Sequence, residues 1–494
     1  MASSAFRKAF LIAAAFELAS LVSFALPEAR PAFMAAAAVL AVFLARKDPP
    51  SLFALTVIEM VIGSHGHMLF VEAGGERFTI RMLLFAILIA GWALRAPRAV
   101  RGPLTLPLAA VAAAVLWGVI RGLFTGKGMG AVASDANAYA FILLIPIALD
   151  LIRGREALAR LAEIFAGALL WLSLKSLTLL YFFSHDFGPL LDGLFKWQRA
   201  FWLAEITQLG GGGWHRVFAA SSVFLIPGVL AGFMLWRQSR NRKAFVWLVA
   251  CSAALVLSFS RSFALGMLSA VPASAPFLAR RKSAALRRIP GNIFSAAAAA
   301  AAAVLLLAAV AVFPAPKPLG LGVGAFAERL SASDPAVSSR WNVLPPLASA
   351  IAEAPILGSG FGSTVTYRSD DPRIISLHPG GVITTGAVEW QYLEIWLKTG
   401  IFGLIAVGWL FLAAGRETLR ALNECGEVDY PFAASALMSF AAFLVLNIFT
   451  PYINHPLGWM YLALILAASR RLRDSRSGMP PRPSRFSRPA GAAQ

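Results

Sequence analysis

The sequence predicts an all-α polytopic membrane protein, with about 12–14 transmembrane helices and one large, partly helical external loop. Three observations carry that prediction. Of the 494 residues, 58% are hydrophobic and only 14% charged, against about 25% charged in soluble domains. Apolar runs of roughly 18 residues, enough to cross about 30 Å of hydrocarbon, recur from end to end. Basic residues gather in alternate connections between those runs, as the positive-inside rule requires.

The candidate spans run in order at about 9–26, 31–45, 51–69, 79–95, 104–121, 135–152, 158–183, 216–236, 244–259, 263–279, 292–313, 390–414, 431–449 and 456–469. If the N-terminus is cytoplasmic, every inside connection is basic. Arg46 and Lys47, Arg95, Arg98 and Arg101, and Arg237, Arg240, Arg242 and Lys243 all fall there. So do the run from Arg280 to Arg288, the pair Arg416 and Arg420, and an Arg-rich tail. Both termini are therefore expected inside, with the long loops outside. The chain divides into N-terminal helices (1–183), a first external loop (184–215), a second helical block (216–313), the large external loop (314–389), C-terminal helices (390–469) and a disordered basic tail (470–494) held near anionic headgroups. No cleavable signal peptide is expected, since the first apolar run lacks a small-residue cleavage site.

The net charge of +19 is explained by this topology, so no nucleic-acid partner is expected. Cys251 and Cys425 fall in a span and a cytoplasmic loop, which predicts no disulfide. Six histidines without a paired ligand spacing predict no metal site. His65, His67, His185 and His378 read as loop residues. "GGGWHR" (211–216) is not a phosphate loop, because no Lys-Ser/Thr follows and no strand is expected before it.

The large loop carries the candidate chemistry. Ser338–Ile356 reads as one or two short amphipathic helices punctuated by prolines and ended by Gly358, Gly360 and Gly362, which predicts an ordered cap. External basic residues are exceptions to the charge rule. Arg216, Arg261 and Arg340 each stand beside small or hydroxyl residues at an outer helix end or on the cap. Singly, each reads equally well as a snorkelling interface arginine; together they suit bidentate phosphate binding. In "AVEWQYLEIWLKTGIFG" (387–403), Glu389 stands at the helix entry, as an N-terminal cap or as a general base. Glu394 and Lys398, spaced i, i+4, read as a mutually neutralised pair facing the bundle interior. Glu17, Glu59 and Lys175 lie deep in spans and find no partner from sequence.

A resemblance rests on four stretches in order: "SFSRS" (258–262), Arg340-Trp341 on the long loop, "PILGSGFG" (355–362) and "TGIFG" (399–403). This order, over roughly 214–408, resembles the O-antigen ligase and polymerase superfamily of bacterial membrane glycosyltransferases. The resemblance implies transfer of a glycan from an undecaprenyl diphosphate carrier to a glycan acceptor on the periplasmic face of the inner membrane, with no metal or other cofactor. It implies Arg216, Arg261, Arg340 and the cap residue His378 as substrate-binding residues and Glu389 as the catalytic base. Other polysaccharide export proteins are implied partners. Ligases of the family place a His-Asn-type pair where this sequence has Glu389 and Trp390. A related branch that polymerises peptidoglycan strands uses an external carboxylate. That departure favours a repeat-unit polymerase over a ligase. A lipid-linked oligosaccharide flippase is the main alternative; it would use deep charges such as Glu17, Glu59 and Lys175.

Overall fold

The computed structural model describes residues 3–95, 102–185, 187–209, 214–280, 289–314 and 335–474. They form a helical membrane bundle with three small antiparallel strand pairs. The first half contains α1 (Ser4–Ala25), α2 (Arg30–Lys47), α3 (Pro49–Ile62), the pair β1 (Phe70–Ala73) and β2 (Glu76–Thr79), α4 (Ile80–Ala93), α5 (Thr105–Phe124), α6 (Met129–Ala140), α7 (Leu144–Leu151), α8 (Gly154–His185) and α9 (Pro189–Ala200). The pair β3 (Glu205–Leu209) and β4 (Trp214–Phe218) follows, then α10 (Leu225–Ser239), α11 (Arg242–Leu257), α12 (Arg261–Arg280) and α13 (Ile289–Val312). The cap comprises α14 (Pro335–Asn342), α15 (Leu344–Glu353), β5 (Val365–Arg368), α16 (Pro372–Leu377) and β6 (Val382–Thr385). Three helices close the chain: α17 (Gln391–Glu424), α18 (Tyr430–Phe449) and α19 (Pro456–Asp474).

Every predicted span falls on a helix, but among the described residues nine helices are long and apolar enough to cross a membrane. The shortfall has a physical reason. α3 has 14 residues, about 21 Å at 1.5 Å per residue, and from Leu52 to Ile62 it is entirely buried by other helices. A helix wrapped in protein need not match the bilayer. α4 and α11 are likewise short, at 14 and 16 residues.

Several predicted boundaries move. The span expected from 216 begins instead at Ala220, because Trp214–Phe218 is a strand paired with Glu205–Leu209. A strand therefore does precede the Gly-rich run, although it leads into an antiparallel partner and not a phosphate-binding helix. His185 is the last residue of α8, not part of a loop. α17 continues to Glu424 and takes in Arg416 and Arg420, and α19 continues through Arg473. Asp186, residues 281–288, residues 315–334 of the large loop and the tail from 475 lie outside the described residues.

Small residues let the helices approach closely, as expected where lipid is as apolar as the contacts. A methyl group on Gly167 of α8 would meet the Phe6 carbonyl of α1 at 2.5 Å. Gly228 and Gly232 of α10 make room for Trp247 of α11. Basic side chains gather at one end of the bundle. There Arg95 donates to the Ala45 carbonyl (2.8 Å) and Arg471 to that of Leu149 (2.9 Å), while Arg155 pairs with Asp429 (2.8 Å) and Arg473 with Glu417 (3.0 Å). These are helix C-terminal carbonyls and carboxylates, where cations are favoured. The cap and the strand pairs are made by the connections of the other end.

Candidate functional site

The base of the cap is built by glycine. α17 breaks at Gly400, whose φ is 71°. The break leaves the Leu397 and Lys398 carbonyls without helical partners, and the "PILGSGFG" run supplies them: Ser359 N–H donates to Leu397 O (2.7 Å) and Gly360 N–H to Lys398 O (3.1 Å). In return, Ile401 N–H donates to Pro355 O (3.1 Å). The run also reaches α5, where Phe361 N–H donates to Gly118 O (2.9 Å). A Cβ on Gly122 would lie 2.3 Å from the Phe361 carbonyl and one on Gly400 2.1 Å from the Ile356 carbonyl. Thus two of the motifs that carried the resemblance form one interlocked wedge. Above it, Val343, Leu347 and Ile351 of α14–α15 pack with Val365, Val388 and Leu397. The one or two short amphipathic helices expected over 338–356 are two, α14 and α15, the first beginning at Pro335.

At the edge of this cap Glu389 meets Arg340. Their side chains form a two-contact ion pair, Arg340 Nε to Glu389 Oε2 and Nη2 to Oε1, the latter at 3.3 Å. Both remain accessible, at 34% and 50% of the side chain. Glu389 precedes Trp390, the residue that caps α17 without a side-chain hydrogen bond, so its carboxylate serves the arginine and not the helix end. Trp390 ties the two segments together by donating from Nε1 to the Arg340 carbonyl (2.9 Å).

Arg216 and Arg261 are linked to Glu389 indirectly, through a chain of contacts. Trp390 packs on Phe449 at 5.5 Å. The next residue, Thr450, donates to Ser262 Oγ (2.9 Å), beside Arg261 at the start of α12. Arg216 donates from Nε to the Ser258 carbonyl (2.8 Å) in the turn just before α12, and its Nη1 lies 3.5 Å from Glu205. The predicted site residues therefore form two groups, Arg340 with Glu389 and Arg216 with the Arg261 turn, joined by the end of α18. His378 is exposed just after α16, where its backbone bonds are to Ile374 and Gly381.

Beneath the edge of the cap lies a polar cluster only partly expected from the sequence. The Lys398 ammonium, buried, donates to Glu394 (2.6 Å), to Asp135 of α6 (2.8 Å) and to the Gly386 carbonyl (2.7 Å). The expected Glu394–Lys398 pair is present, and Asp135 joins it. Asp135 also accepts from Gly362 N–H (2.7 Å), so it fastens the glycine run to α6. Asn454 donates to Glu394 (2.9 Å) from the loop between α18 and α19. No spacing rule brings residues 135 and 398 together; the only sequence signal at Asp135 is a charge inside a predicted span.

The deep charges are paired. Glu17 meets Lys175 at 2.6 Å, and Arg81 grips Glu59 with two contacts of 3.0 and 3.1 Å. Arg81 also donates to the Ser64 carbonyl (2.9 Å) in the loop that carries His65 and His67. The His65 ring is 5.4 Å from that of His455 and 5.7 Å from Trp202. The surrounding protein, then the Arg81 charge, pushes His65 down to about 4. Burial also holds His455 well below its ordinary range, helped by His65 and Arg81. Among the described residues no group of three metal-binding side chains occurs.

Residues 244–408 match the O-antigen ligase family model. The match bears out the resemblance to the O-antigen ligase and polymerase superfamily, whose members are membrane glycosyltransferase-like enzymes. No curated protein matches the chain. The O-antigen ligase segment runs from α11 through the cap to the middle of α17, and so contains Arg261, Arg340, His378, Glu389 and both halves of the glycine wedge. Arg216 lies before it, although its hydrogen bond to Ser258 reaches into it.

Proposed function

We propose that this protein is a polymerase that joins undecaprenyl-diphosphate-linked oligosaccharide repeat units on the periplasmic face of the inner membrane, in O-antigen or exopolysaccharide biosynthesis. The observation that carries the reading is the accessible Arg340–Glu389 pair at the entry of α17, inside the O-antigen ligase segment. In this reading Glu389 accepts the proton of an acceptor sugar hydroxyl as its oxygen attacks the anomeric carbon of the donor glycan. The bond from that carbon to phosphate oxygen breaks, and the lipid diphosphate leaves with its charge held by the arginines. Arg340 would exchange Glu389 for the diphosphate when the donor binds, which frees the carboxylate to act as base. The basic end of the bundle, with both termini, would be cytoplasmic.

Transfer to lipid A core is the second reading, favoured by the matched family's own description. The argument for a flippase weakens, because Glu17, Lys175 and Glu59 are all engaged in ion pairs. The test is purified protein with a lipid-diphosphate oligosaccharide, scored for released lipid diphosphate and longer glycans. Glu389→Gln is expected to slow transfer by about 10²–10⁴, and loss of Arg216, Arg261 or Arg340 by on the order of 10²-fold each. A wild-type rate for Glu389→Gln in folded protein rules out the base role. Offering lipid A core beside a second carrier-linked glycan separates ligase from polymerase by which one is extended.

A further inference from the structure

A cleft of about 530 Å³ opens on the cap between α14, the start of α15 and β5. This is within the roughly 300–1,000 Å³ of small-ligand sites. Its walls are two aromatic rings, Trp341 and Tyr367, with Asn342, Arg368 and Asp370 between them and two prolines alongside. Trp341 keeps 56% of its surface exposed. Two of the polar side chains hold each other: Asn342 Nδ2 donates to Asp370 (2.9 Å) and also to the Arg368 carbonyl (3.3 Å). Trp341 is the residue after Arg340, and its ring lies 5.3 Å from that of Trp390. Through Trp341 the cleft adjoins the segment that carries Arg340 and the ring beside Glu389.

We propose that this cleft is a saccharide subsite holding sugar units of the glycan next to the transfer centre. The inference rests on the glycosyl-transfer reading above. An aromatic face carries negative charge density and attracts the C–H face of a sugar ring, while Asn, Asp and Arg present paired donors and acceptors to neighbouring hydroxyls. Neither a lipid tail nor a bare diphosphate would use that combination. A tail needs no polar partners, and a diphosphate drawn by Arg368 is opposed by Asp370 beside it. The sugars come either from the donor or from the acceptor.

The experiment titrates the full chain, in detergent, with two probes: lipid-free oligosaccharide cut from the surface polysaccharide of the source cell, and the same repeat on lipid diphosphate. Calorimetry is run on wild type, Trp341→Ala, Asp370→Asn and Glu389→Gln, with melting temperature as the folding control. The lipid-free sugar is expected to bind wild type, and to bind Trp341→Ala and Asp370→Asn at least tenfold more weakly. Weakening toward both probes, or toward the lipid-free probe alone because the lipid diphosphate anchors the other one elsewhere, supports a subsite that holds glycan. Wild-type affinity in both cleft variants, or no binding of lipid-free sugar to wild type, overturns the proposal. A fully active Glu389→Gln would instead sink the base assignment and leave the binding comparison intact.

Discussion

Lys398 holds its ammonium between Asp135 and Glu394 with 1% of its side chain exposed. Two carboxylates so placed depend on that cation, since breaking a buried pair by removing one partner costs about 3–5 kcal/mol. Lys398→Met is therefore expected to lower stability by that order, read as melting temperature in detergent. Adding Glu394→Gln should recover part of the loss, and a strictly additive double variant would show that the two residues are not coupled. A second residue-scale effect concerns pH. His65 is itself exposed, at the surface of a loop whose neighbours are mostly buried, and the surrounding protein and the Arg81 charge push it down to about 4, from 6.5 in an unfolded chain. Between those values the unfolded state binds more protons, so stability rises with pH and is lost as pH falls from about 6.5 toward 4. Melting temperature should drop over that interval and stay level above pH 7. His65→Gln should flatten the drop; an unchanged profile would move the effect to other groups, such as His67 and His455.

At the scale of elements, the cap is held by backbone more than by side chains. Gly400 lets α17 break and offer two carbonyls to the glycine run, and its left-handed φ of 71° suits no other residue well. Gly400→Ala incurs about 1–3 kcal/mol from the backbone alone, and its methyl would strike the Ile356 carbonyl. The expected outcome is a lower melting temperature and a cap that proteases cut sooner. Gly408→Ala, eight residues on with nothing near its Cβ position, should be neutral or mildly stabilising by up to about 1 kcal/mol. Equal behaviour of the two variants would remove the wedge from the account. This wedge was only half legible in sequence: the glycines of 358–362 announce a chain reversal, but nothing in "TGIFG" says that a helix opens there to receive them. The same is true of Asp135, whose partners lie more than 200 residues away in the chain. Residues such as Glu394 and Lys398 pair within one helical turn, so their spacing was enough.

Across the whole molecule, apolar run length and charge bias made the helices readable, while the ends of elements were not. Trp214–Phe218 looks like a span entry because it is aromatic and apolar, yet pairing with Glu205–Leu209 makes it a strand, and only that partner decides. α3 reads as a full span by composition, yet it has only 14 residues and is enclosed by neighbours from Leu52 to Ile62. What the charge pattern does imply is a direction for the bundle. The end bearing Arg95, Arg155, Arg471 and Arg473 should face the cytoplasm, and the cap the opposite side. Single cysteines introduced into a Cys251→Ala, Cys425→Ala background test this directly. Thr366 on β5 and Glu427 in the turn between α17 and α18 are both exposed, at opposite ends of α17. In intact spheroplasts a membrane-impermeant maleimide should label Thr366→Cys, and Glu427→Cys only after the membrane is opened. The reverse pattern would put the Arg340–Glu389 rim on the cytoplasmic side, and a periplasmic transfer reaction at that rim would have to be abandoned.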